Sequence, residues 1–309
     1  MVKCDRCSKT AKFSLSYGPH NFCNKHFNYF FEQRFKKTIK KYSLLKKNDV
    51  VVVGVSGGKD SMTVLHLLNK FYSRTQTIKA LLIDEGIPKY RDKAIKTAIK
   101  ELKSKDIEFK LISFKERLGK EMTEVMKKTG RKKEFGSTCS FCGPFRRKLL
   151  NDGAIELNAD KLATGHNLDD EIQSITMNFF DNDLKRMSRL GPKTPGTKKL
   201  IPRIKPLYLT PEKEIIAYTN LNEIKYFGEH CCPFSWQAKR NEFRGMLNQM
   251  ENKFPGTFYS ILATFENLKP LLQDKFKEEN YCQECGTSSS GKLCSTCLKL
   301  LTLNKKRSI

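Results

Sequence analysis

The sequence has 309 residues, with 58 lysines and arginines against 33 aspartates and glutamates, so its formal net charge is +25 at neutral pH. No stretch of about 18 apolar residues occurs, which excludes a membrane-spanning helix, and the first residues lack the apolar centre of a secretory signal, so we expect a cytoplasmic protein. The basic excess indicates a polyanionic partner, for which nucleic acid is the expected class.

Four potential metal ligands open the chain. Cys4, Cys7, Cys23 and His26 follow the spacing C-x2-C-x15-C-x2-H, which supplies four donors in two close pairs and is typical of tetrahedral zinc. Disulfides are rare in the cytosol, so these cysteines indicate metal binding. Because residues 1–30 are too few to bury a core of their own, we predict a small module that Zn²⁺ folds.

Strand and helix patterns alternate from this module to about residue 205. The alternation predicts an α/β domain with a parallel sheet over residues 31–205, and such sheets bind ligands at the carboxyl ends of their strands. The first strand is a continuous apolar run, as expected of a strand that is covered on both faces. The predicted strands are 50–55, 80–84, 109–114 and 161–164, and the predicted helices are 60–72, 90–104 and 168–180.

The turn after the first strand is rich in glycine and leads into a helix, so it presents backbone N–H groups and a helix dipole to phosphate. Residues 54–61 read GVSGGKDS. A Walker A loop needs four residues between its first glycine and its Gly-Lys pair, but only three separate Gly54 from Gly58. The dinucleotide fingerprint G-x-G-x-x-G fails as well. The turn instead resembles the PP-loop, S-G-G-x-D-S, of the ATP pyrophosphatases, which cleave ATP between the α- and β-phosphates and adenylate a substrate.

The PP-loop resemblance implies a role for each polar residue of the turn. Its glycines would let the backbone approach the pyrophosphate, and its two serines would donate hydroxyl hydrogen bonds to it. Asp60 would organise the loop or a Mg²⁺ ion. Asp84, at the end of the second strand, would lie near the adenosine or would only cap its strand. The predicted ATP-binding residues here are Gly54, Val55, Ser56, Gly57, Gly58, Lys59, Asp60, Ser61 and Asp84.

A separate group of cysteines lies between the two chain ends. Cys139 and Cys142 form a C-x2-C pair just before a helical segment, and Cys231 and Cys232 follow much later. Three thiolates leave one position of a metal site open, which suits catalysis better than a structural role. A cubane iron–sulfur cluster with one free iron is one such site. The alternatives are a redox-active cysteine pair and a zinc ion bound by both later cysteines.

Other polar candidates follow the C-x2-C pair and the fourth strand. Arg146 lies one helical turn beyond that pair, so its guanidinium could stabilise a phosphate or a developing negative charge at the same site. Gly165 opens a turn that could let a nucleotide approach. Asp169 and Asp170 could hold Mg²⁺ or orient the substrate, or they could only satisfy the N-terminus of their helix. His166 could cap the same helix.

The rest of the chain is basic, and residues 206–278 predict a helical extension. Residues 192–206 read as a Pro/Gly/Lys-rich loop without periodicity, and basic stretches at 34–47, 127–135, 192–199 and 239–245 suit contacts with RNA phosphates. Phe234, Trp236 and Phe243 could stack on a base, but aromatic residues are more often core. Residues 279–309 hold a second zinc module with the spacing C-x2-C-x8-C-x2-C, formed by Cys282, Cys285, Cys294 and Cys297.

In this order, the motifs resemble one family over nearly the whole chain: the two-finger tRNA 2-thiouridine synthetases, which are the archaeal and eukaryal cytosolic tRNA 2-thiolation enzymes. Besides both zinc modules and the PP-loop, the resemblance rests on CSFCGPFRR, ATGHNLDDE, CCPFS and NEFRG. The tRNA 2-thiocytidine enzymes share the loop and the C-x2-C pair but generally lack the two fingers. Lysidine synthetases share the loop and lack the cysteines.

The family resemblance implies an ATP-dependent tRNA uridine 2-sulfurtransferase whose residues 206–278 help to bind tRNA. ATP would adenylate the C2 oxygen of a uridine, sulfur would attack C2, and AMP would leave. Three cysteines would bind a four-iron, four-sulfur cluster, and we choose Cys232 over Cys231 because the family's third cysteine precedes the P-F-S stretch. The predicted catalytic residues are Cys139, Cys142, Cys232, Arg146, Asp60 and Asp170, and Gly165, Asp169 and Asp170 join the nucleotide-binding set.

Several points stay open within this resemblance. The substrate is the wobble uridine of the anticodon or the uridine of the T-loop, and we favour the wobble position. The sulfur donor is free sulfide or the thiocarboxylate of a small ubiquitin-like protein, and the resemblance alone implies a homodimer. The alternative functions are a PP-loop tRNA cytidine 2-thiolase or ligase, and an RNA-binding zinc-finger protein without catalytic activity.

Overall fold

The computed structural model describes residues 2–129, 138–197, 199–228, 232–235, 238–276, 280–289 and 291–304. The strands are β1 (Phe13–Leu15), β2 (His20–Phe22), β3 (Val50–Gly54), β4 (Thr77–Asp84), β5 (Phe109–Ser113), β6 (Lys161–Ala163), β7 (Lys193–Thr194), β8 (Arg203–Ile204), β9 (Asn280–Tyr281) and β10 (Ser288–Ser289). The helices are α1 (Asn24–Lys41), α2 (Lys59–Tyr72), α3 (Arg91–Ser104), α4 (Phe114–Leu118), α5 (Met122–Thr129), α6 (Cys139–Glu156), α7 (Leu168–Phe180), α8 (Leu184–Met187), α9 (Glu212–Leu221), α10 (Arg240–Lys253), α11 (Thr257–Lys275) and α12 (Ser295–Asn304).

A six-stranded sheet in the order β5-β4-β3-β6-β8-β7 forms the centre of the fold. Its first five strands are parallel, and β7 runs antiparallel to β8 at the edge. Val51 and Val53 pack with α2 and α3 on one face, whereas Val52 packs with α6 on the other. The apolar run of β3 is therefore explained by burial on both faces, and the predicted parallel α/β domain is confirmed.

The segment 192–206 is predicted as an irregular loop, but the structure contains two short strands there. It contains β7 and β8, and β8 extends the parallel sheet by pairing with β6. Each strand has only two residues, so neither shows the alternation from which a strand is predicted. The short hairpin matters because it places Arg203 beside the carboxyl end of β6, where Ile204 pairs with Ala163.

Both predicted metal modules bring their four ligands together. In each set the four donor atoms lie within 4.8 Å of one another, and these sets are Cys4, Cys7, Cys23 and His26, and Cys282, Cys285, Cys294 and Cys297. Tetrahedral zinc with Zn–S bonds of about 2.3 Å would place thiolates about 3.8 Å apart. The Sγ atoms of Cys7 and Cys23 are 3.9 Å apart, and those of Cys285 and Cys294 are 3.5 Å apart, so both sets fit one such ion.

Neither metal module stands apart from the rest of the protein. Helix α1 begins at the first module, crosses position 30 and buries Phe27, Phe31 and Phe35 in the core on the α2 side of the sheet. At the other end of the chain, α12 packs on α6, where the hydroxyl of Thr296 donates to the Pro144 carbonyl at 3.1 Å. The N-terminal part of α6 therefore contacts the C-terminal module.

The helical extension packs against the helix that follows β6. Helices α10 and α11 contact α7, and Leu247, Phe258, Leu262 and Phe265 form a third core cluster with Leu168 and Ile172. Phe243 packs partly buried against this cluster, and Phe234 packs against the α6 side of the sheet, as their interpretation as core residues predicts. Trp236 lies outside the described residues. Within the described part of the chain, no helix combines the length and apolar character that a membrane span needs.

Candidate active site

The glycine-rich turn lies at the carboxyl end of β3 and leads directly into α2. Gly57 has a φ of +83°, and a Cβ atom there would lie 2.4 Å from the carbonyl oxygen of Ala94 in α3. Only glycine fits this position, because the backbone is left-handed and α3 approaches it closely. The structure therefore explains Gly57 by the path of the turn and its packing on α3.

The two serines of the turn close it upon itself. Their Oγ atoms are 3.1 Å apart, the Ser56 hydroxyl accepts the Gly58 N–H at 3.3 Å, and the Ser61 hydroxyl donates to the Gly58 carbonyl at 3.0 Å. Gly58, the residue before α2, has extended backbone angles, so the first N–H groups of the helix face the open end of the turn. The loop thus has the form of an anion-binding helix N-terminus.

A charged cleft of about 120 Å³ opens beside the turn. The Lys59 ammonium group lies 3.1 Å from Asp60 Oδ2 and 2.6 Å from Glu212 Oε1, and Glu212 also pairs with Arg244. The Asn167 amide donates to the other carboxylate oxygen of Asp60 at 3.1 Å. The cleft therefore joins the PP-loop to the first turns of α7, α9 and α10.

Asp169 and Asp170 face this cleft in different ways. Asp169 is buried, its carboxylate accepts the Glu212 N–H at 2.7 Å, and burial raises the pKa of its carboxyl group to about 6. Asp170 forms a capping box with Asn167 and also lies 3.1 Å from Arg240 Nη1. The helix cap is therefore Asn167, and the interpretation of His166 as the cap is wrong, since its Nδ1 lies 2.9 Å from the Thr164 hydroxyl.

Gly165 and Asp84 have local structural roles at this edge of the sheet. A Cβ atom on Gly165 would lie 2.7 Å from the backbone nitrogen of Ser61, so this glycine lets the turn after β6 contact the PP-loop. The Asp84 carboxylate accepts the Gly86 N–H at 2.9 Å, which fits the prediction of a strand-end cap. Asp84 also lines a second cavity, of about 330 Å³, together with Ser113 and Lys115.

Three of the remaining four cysteines converge on the same side of the fold. Cys139 and Cys142 occupy the first turn of α6, and the Cys139 thiol lies 3.5 Å from the Phe234 carbonyl, two residues beyond Cys232. Cys142 and Cys232 both pack against the α6 side of the sheet. Burial raises the pKa of the Cys142 thiol to about 11, although the adjacent Arg146 charge opposes this rise. Cys231 lies outside the described residues.

The spacing of these three thiols differs from that of the terminal metal sets. Among the described residues, only the two terminal sets have three or more such donors all within 4.8 Å of one another, so at least one pair of these three Sγ atoms is further apart. A single tetrahedral zinc ion needs thiolates about 3.8 Å apart, whereas a cluster binds each thiolate to a different iron. Three soft thiolate donors on one side of the fold fit an iron–sulfur cluster.

A chain of ion pairs and hydrogen bonds around the buried Glu85 carboxylate connects the cysteine helix to the PP-loop. The Glu85 carboxylate, 2% exposed, lies 2.7 Å from Arg146 Nε and 2.5 Å from Arg91 Nε. Arg91 donates from Nη1 to the Ser56 carbonyl at 2.6 Å, while Arg146 Nη2 lies 3.5 Å from Cys142 Sγ. Arg146 therefore faces the cysteines as predicted, and Glu85 joins it to the nucleotide loop.

Sequence reasoning missed several of these residues. Glu85 and Arg91 follow β4 but are six residues apart, which is not a helical spacing, so the sequence carries no clear signal for their pairing. Glu212 carries no local signal, whereas Arg240 and Arg244 belong to the basic stretch 239–245 from which contacts with RNA phosphates are predicted. All three reach the cleft through the packing of α9 and α10.

Comparison with known proteins identifies the family to which this architecture belongs. A protein-family profile described as a PP-loop domain matches residues 27–250. The tRNA 2-thiolation protein NcsA of Haloferax volcanii is 35% identical, and the alignment covers 96% of this chain and 97% of that protein. The tRNA-5-methyluridine(54) 2-sulfurtransferase of Pyrococcus horikoshii is 34% identical, with 96% and 93% covered.

A solved structure extends the similarity to three dimensions. The U34-tRNA thiolase NcsA from Methanococcus maripaludis, solved with its four-iron, four-sulfur cluster, superposes with a TM-score of 0.83 at 33% identity. The match covers 98% of this chain and 97% of that protein. The chain therefore belongs to the PP-loop domain family and, within it, to the tRNA 2-thiolation proteins.

Proposed function

We propose that this protein is an ATP-dependent tRNA uridine 2-sulfurtransferase. The observation that carries the proposal is the connection of two sites through one chain of ion pairs, from the PP-loop at Ser56 through Arg91, Glu85 and Arg146 to the thiol of Cys142. An enzyme that first adenylates a base and then replaces its oxygen by sulfur needs a nucleotide site and a sulfur site close together.

The nucleotide site is assigned to residues 54–61 and to the neighbouring cleft. The N–H groups at the start of α2 and the hydroxyls of Ser56 and Ser61 would bind the pyrophosphate part of ATP. Asp60, Asp169 and Asp170 supply carboxylate oxygens at this cleft, the ligands that Mg²⁺ prefers. Asp84 and Gly165 would border the nucleotide.

The reaction consists of two substitutions. The C2 oxygen of the uridine attacks the α-phosphorus of ATP, and pyrophosphate leaves. Sulfur then attacks C2, and AMP departs with the former C2 oxygen. Arg146 would stabilise the negative charge that develops around C2, and it cannot act as a base because its guanidinium stays protonated.

Cys139, Cys142 and Cys232 would hold a four-iron, four-sulfur cluster, as their soft donors allow and as a 33% identical thiolase contains one. When bound, the cluster supplies an iron without a protein ligand, at which sulfur can be held. The two terminal ligand sets would each hold one structural zinc ion. We propose four regions: a zinc module (residues 1–30), a catalytic domain (31–205), a tRNA-binding extension (206–278) and a second zinc module (279–309).

The partners also belong to the proposal. The net charge of +25 supports tRNA as the substrate. We favour the wobble uridine over the T-loop uridine, although one relative is named for each position. Sulfide or the thiocarboxylate of a ubiquitin-like protein would donate sulfur, and a cytoplasmic homodimer is the expected state.

The decisive experiment combines metal analysis with base analysis. Anaerobically purified protein should contain about four irons and four sulfides per chain. Cys142→Ala should lose them, whereas the matched control Ser140→Ala, between the two cysteines, should keep them. Iron absent from the wild type, or unchanged in Cys142→Ala, contradicts the cluster assignment.

Incubation with ATP, sulfide and unmodified tRNA, followed by nucleoside analysis, identifies the reaction. The expected product is 2-thiouridine together with one AMP for each base modified. 2-Thiocytidine would instead indicate a cytidine thiolase, and RNA binding without AMP formation would indicate a protein without catalytic activity.

A further inference from the structure

Two arginines lie together beside the cysteine helix and form a cationic pair. Arg203, on β8, donates from Nη2 to the main-chain carbonyl of Arg147 in α6 at 3.2 Å. The side chain of Arg147 folds back along its own helix, so that a Cβ atom on Gly143 would lie 3.4 Å from Arg147 Nη1. Because Gly143 directly follows Cys142, the pair borders the proposed sulfur site.

The pair differs from the other arginines of the site in having no acidic partner. Arg146, Arg240 and Arg244 each pair with a carboxylate, whereas within the described ranges neither Arg147 nor Arg203 does. Burial and the charge of Arg147 lower the pKa of Arg203 to about 10, while Arg147 is exposed, so its guanidinium is accessible to a ligand from solvent. Positive charge held together without compensation is a property of anion-binding sites.

The position of the pair limits which anion it would meet. Arg203 precedes Ile204, whose strand partner Ala163 lies two residues before Gly165 and the charged cleft. The pair therefore lies between the turn that contacts the PP-loop and the turn that carries Cys142. A nucleotide whose base reaches both sites would carry its backbone phosphate past this point.

We propose that Arg147 and Arg203 together bind one backbone phosphate of the RNA substrate, next to the nucleotide that is modified. The inference rests on the proposed function, since it takes tRNA as the substrate. Two planar guanidinium groups can each make paired hydrogen bonds to a phosphodiester, and such contacts position RNA without reading its sequence. The pair would set the register of the RNA strand at the thiolation site.

The test measures the dissociation constant of unmodified tRNA as a function of KCl concentration. Arg147→Gln and Arg203→Gln should each weaken binding about tenfold at physiological salt and reduce the slope of log K against log salt by about 0.7 to 1. Because both residues serve one phosphate, the double variant should bind only slightly more weakly than either single variant. Arg203→Lys should keep the slope but lose part of the affinity.

The matched control is Arg117→Gln, which removes the same charge from a guanidinium that already pairs with Glu156. It should leave both the affinity and the slope close to those of the wild type. The urea midpoint of every variant establishes that it is folded, and ATP binding should stay unchanged in all of them.

Four results would overturn the inference. Arg147→Gln and Arg203→Gln could behave like Arg117→Gln, or their effects could add fully, which would place them on separate phosphates. A parallel loss of ATP affinity would assign the pair to the nucleotide instead. Failure of the wild type to bind tRNA at any salt concentration would refute the proposed function as well. If the wild type thiolates tRNA while Arg147→Gln and Arg203→Gln bind tRNA as tightly as it does, only this inference is refuted.

Discussion

Replacing Glu85 by glutamine removes the charge at the centre of the ion-pair chain while keeping the side chain's size. The side chains of Glu85 and Arg91 are 2% and 5% exposed, and breaking a pair so deeply buried costs about 3 to 5 kcal/mol. Arg91 keeps its hydrogen bonds to the carbonyls of Ile83 and Ser56, and the pair with the half-exposed Arg146 adds little. We therefore expect a loss near the lower limit, about 3 kcal/mol, in the free energy of unfolding.

Urea denaturation of the protein as purified, with its bound metal retained, measures this loss. The matched control is Glu108→Gln, since Glu108 pairs with Lys79 at 3.0 Å but is 59% exposed, and its loss should cost less than about 1 kcal/mol. Equal shifts for the two variants would refute the reasoning that burial makes the Glu85 pair strong. In folded Glu85→Gln, ATP binding should weaken as well, because Arg91 also holds the Ser56 carbonyl.

Two further predictions concern the nucleotide loop and the second metal module. Gly57→Ala should abolish ATP binding and destabilise the protein by more than the control Gly119→Ala, because both glycines have a positive φ but only Gly57 would also collide with α3. The control should cost about 1 to 2 kcal/mol, and similar losses would contradict the clash. Cys285→Ser should lower the zinc content by about one ion per chain while the N-terminal site keeps its own, and retention of both ions would disprove the C-terminal site.

Most of the fold can be predicted from local patterns because burial imposes them directly. β3 is apolar along its length since both of its faces are covered, and the apolar periodicity of α7 predicts its bounds although its cap is misassigned. The metal sets are predictable for the same reason, since each pair of ligands lies within a few residues of chain. Two-residue strands such as β7 leave no such periodicity.

The site was only partly predictable, because several of its contacts join distant parts of the chain. The helix cap is an exception, because Asn is a favoured N-cap residue and His is not, and Asn167 is followed three residues later by Asp170; the interpretation of His166 as the cap overlooks this local preference. The pairing of Glu85 with Arg146 depends on how α6 packs on β4, and no spacing in the sequence reveals it. Motifs therefore identify what a site contains, while packing decides which charges meet.

The N-terminal metal set shares one helix with the hydrophobic core. Cys23 and His26 lie at the start of α1, and Phe27, Phe31 and Phe35 on the same helix are fully buried. Oxidation of these thiols, or zinc starvation, would therefore loosen a helix on which the core depends and expose its phenyl rings. Exposed apolar surfaces attract chaperones and proteases. We therefore expect oxidation or zinc loss at the N-terminal metal set to reduce the cellular amount of the protein.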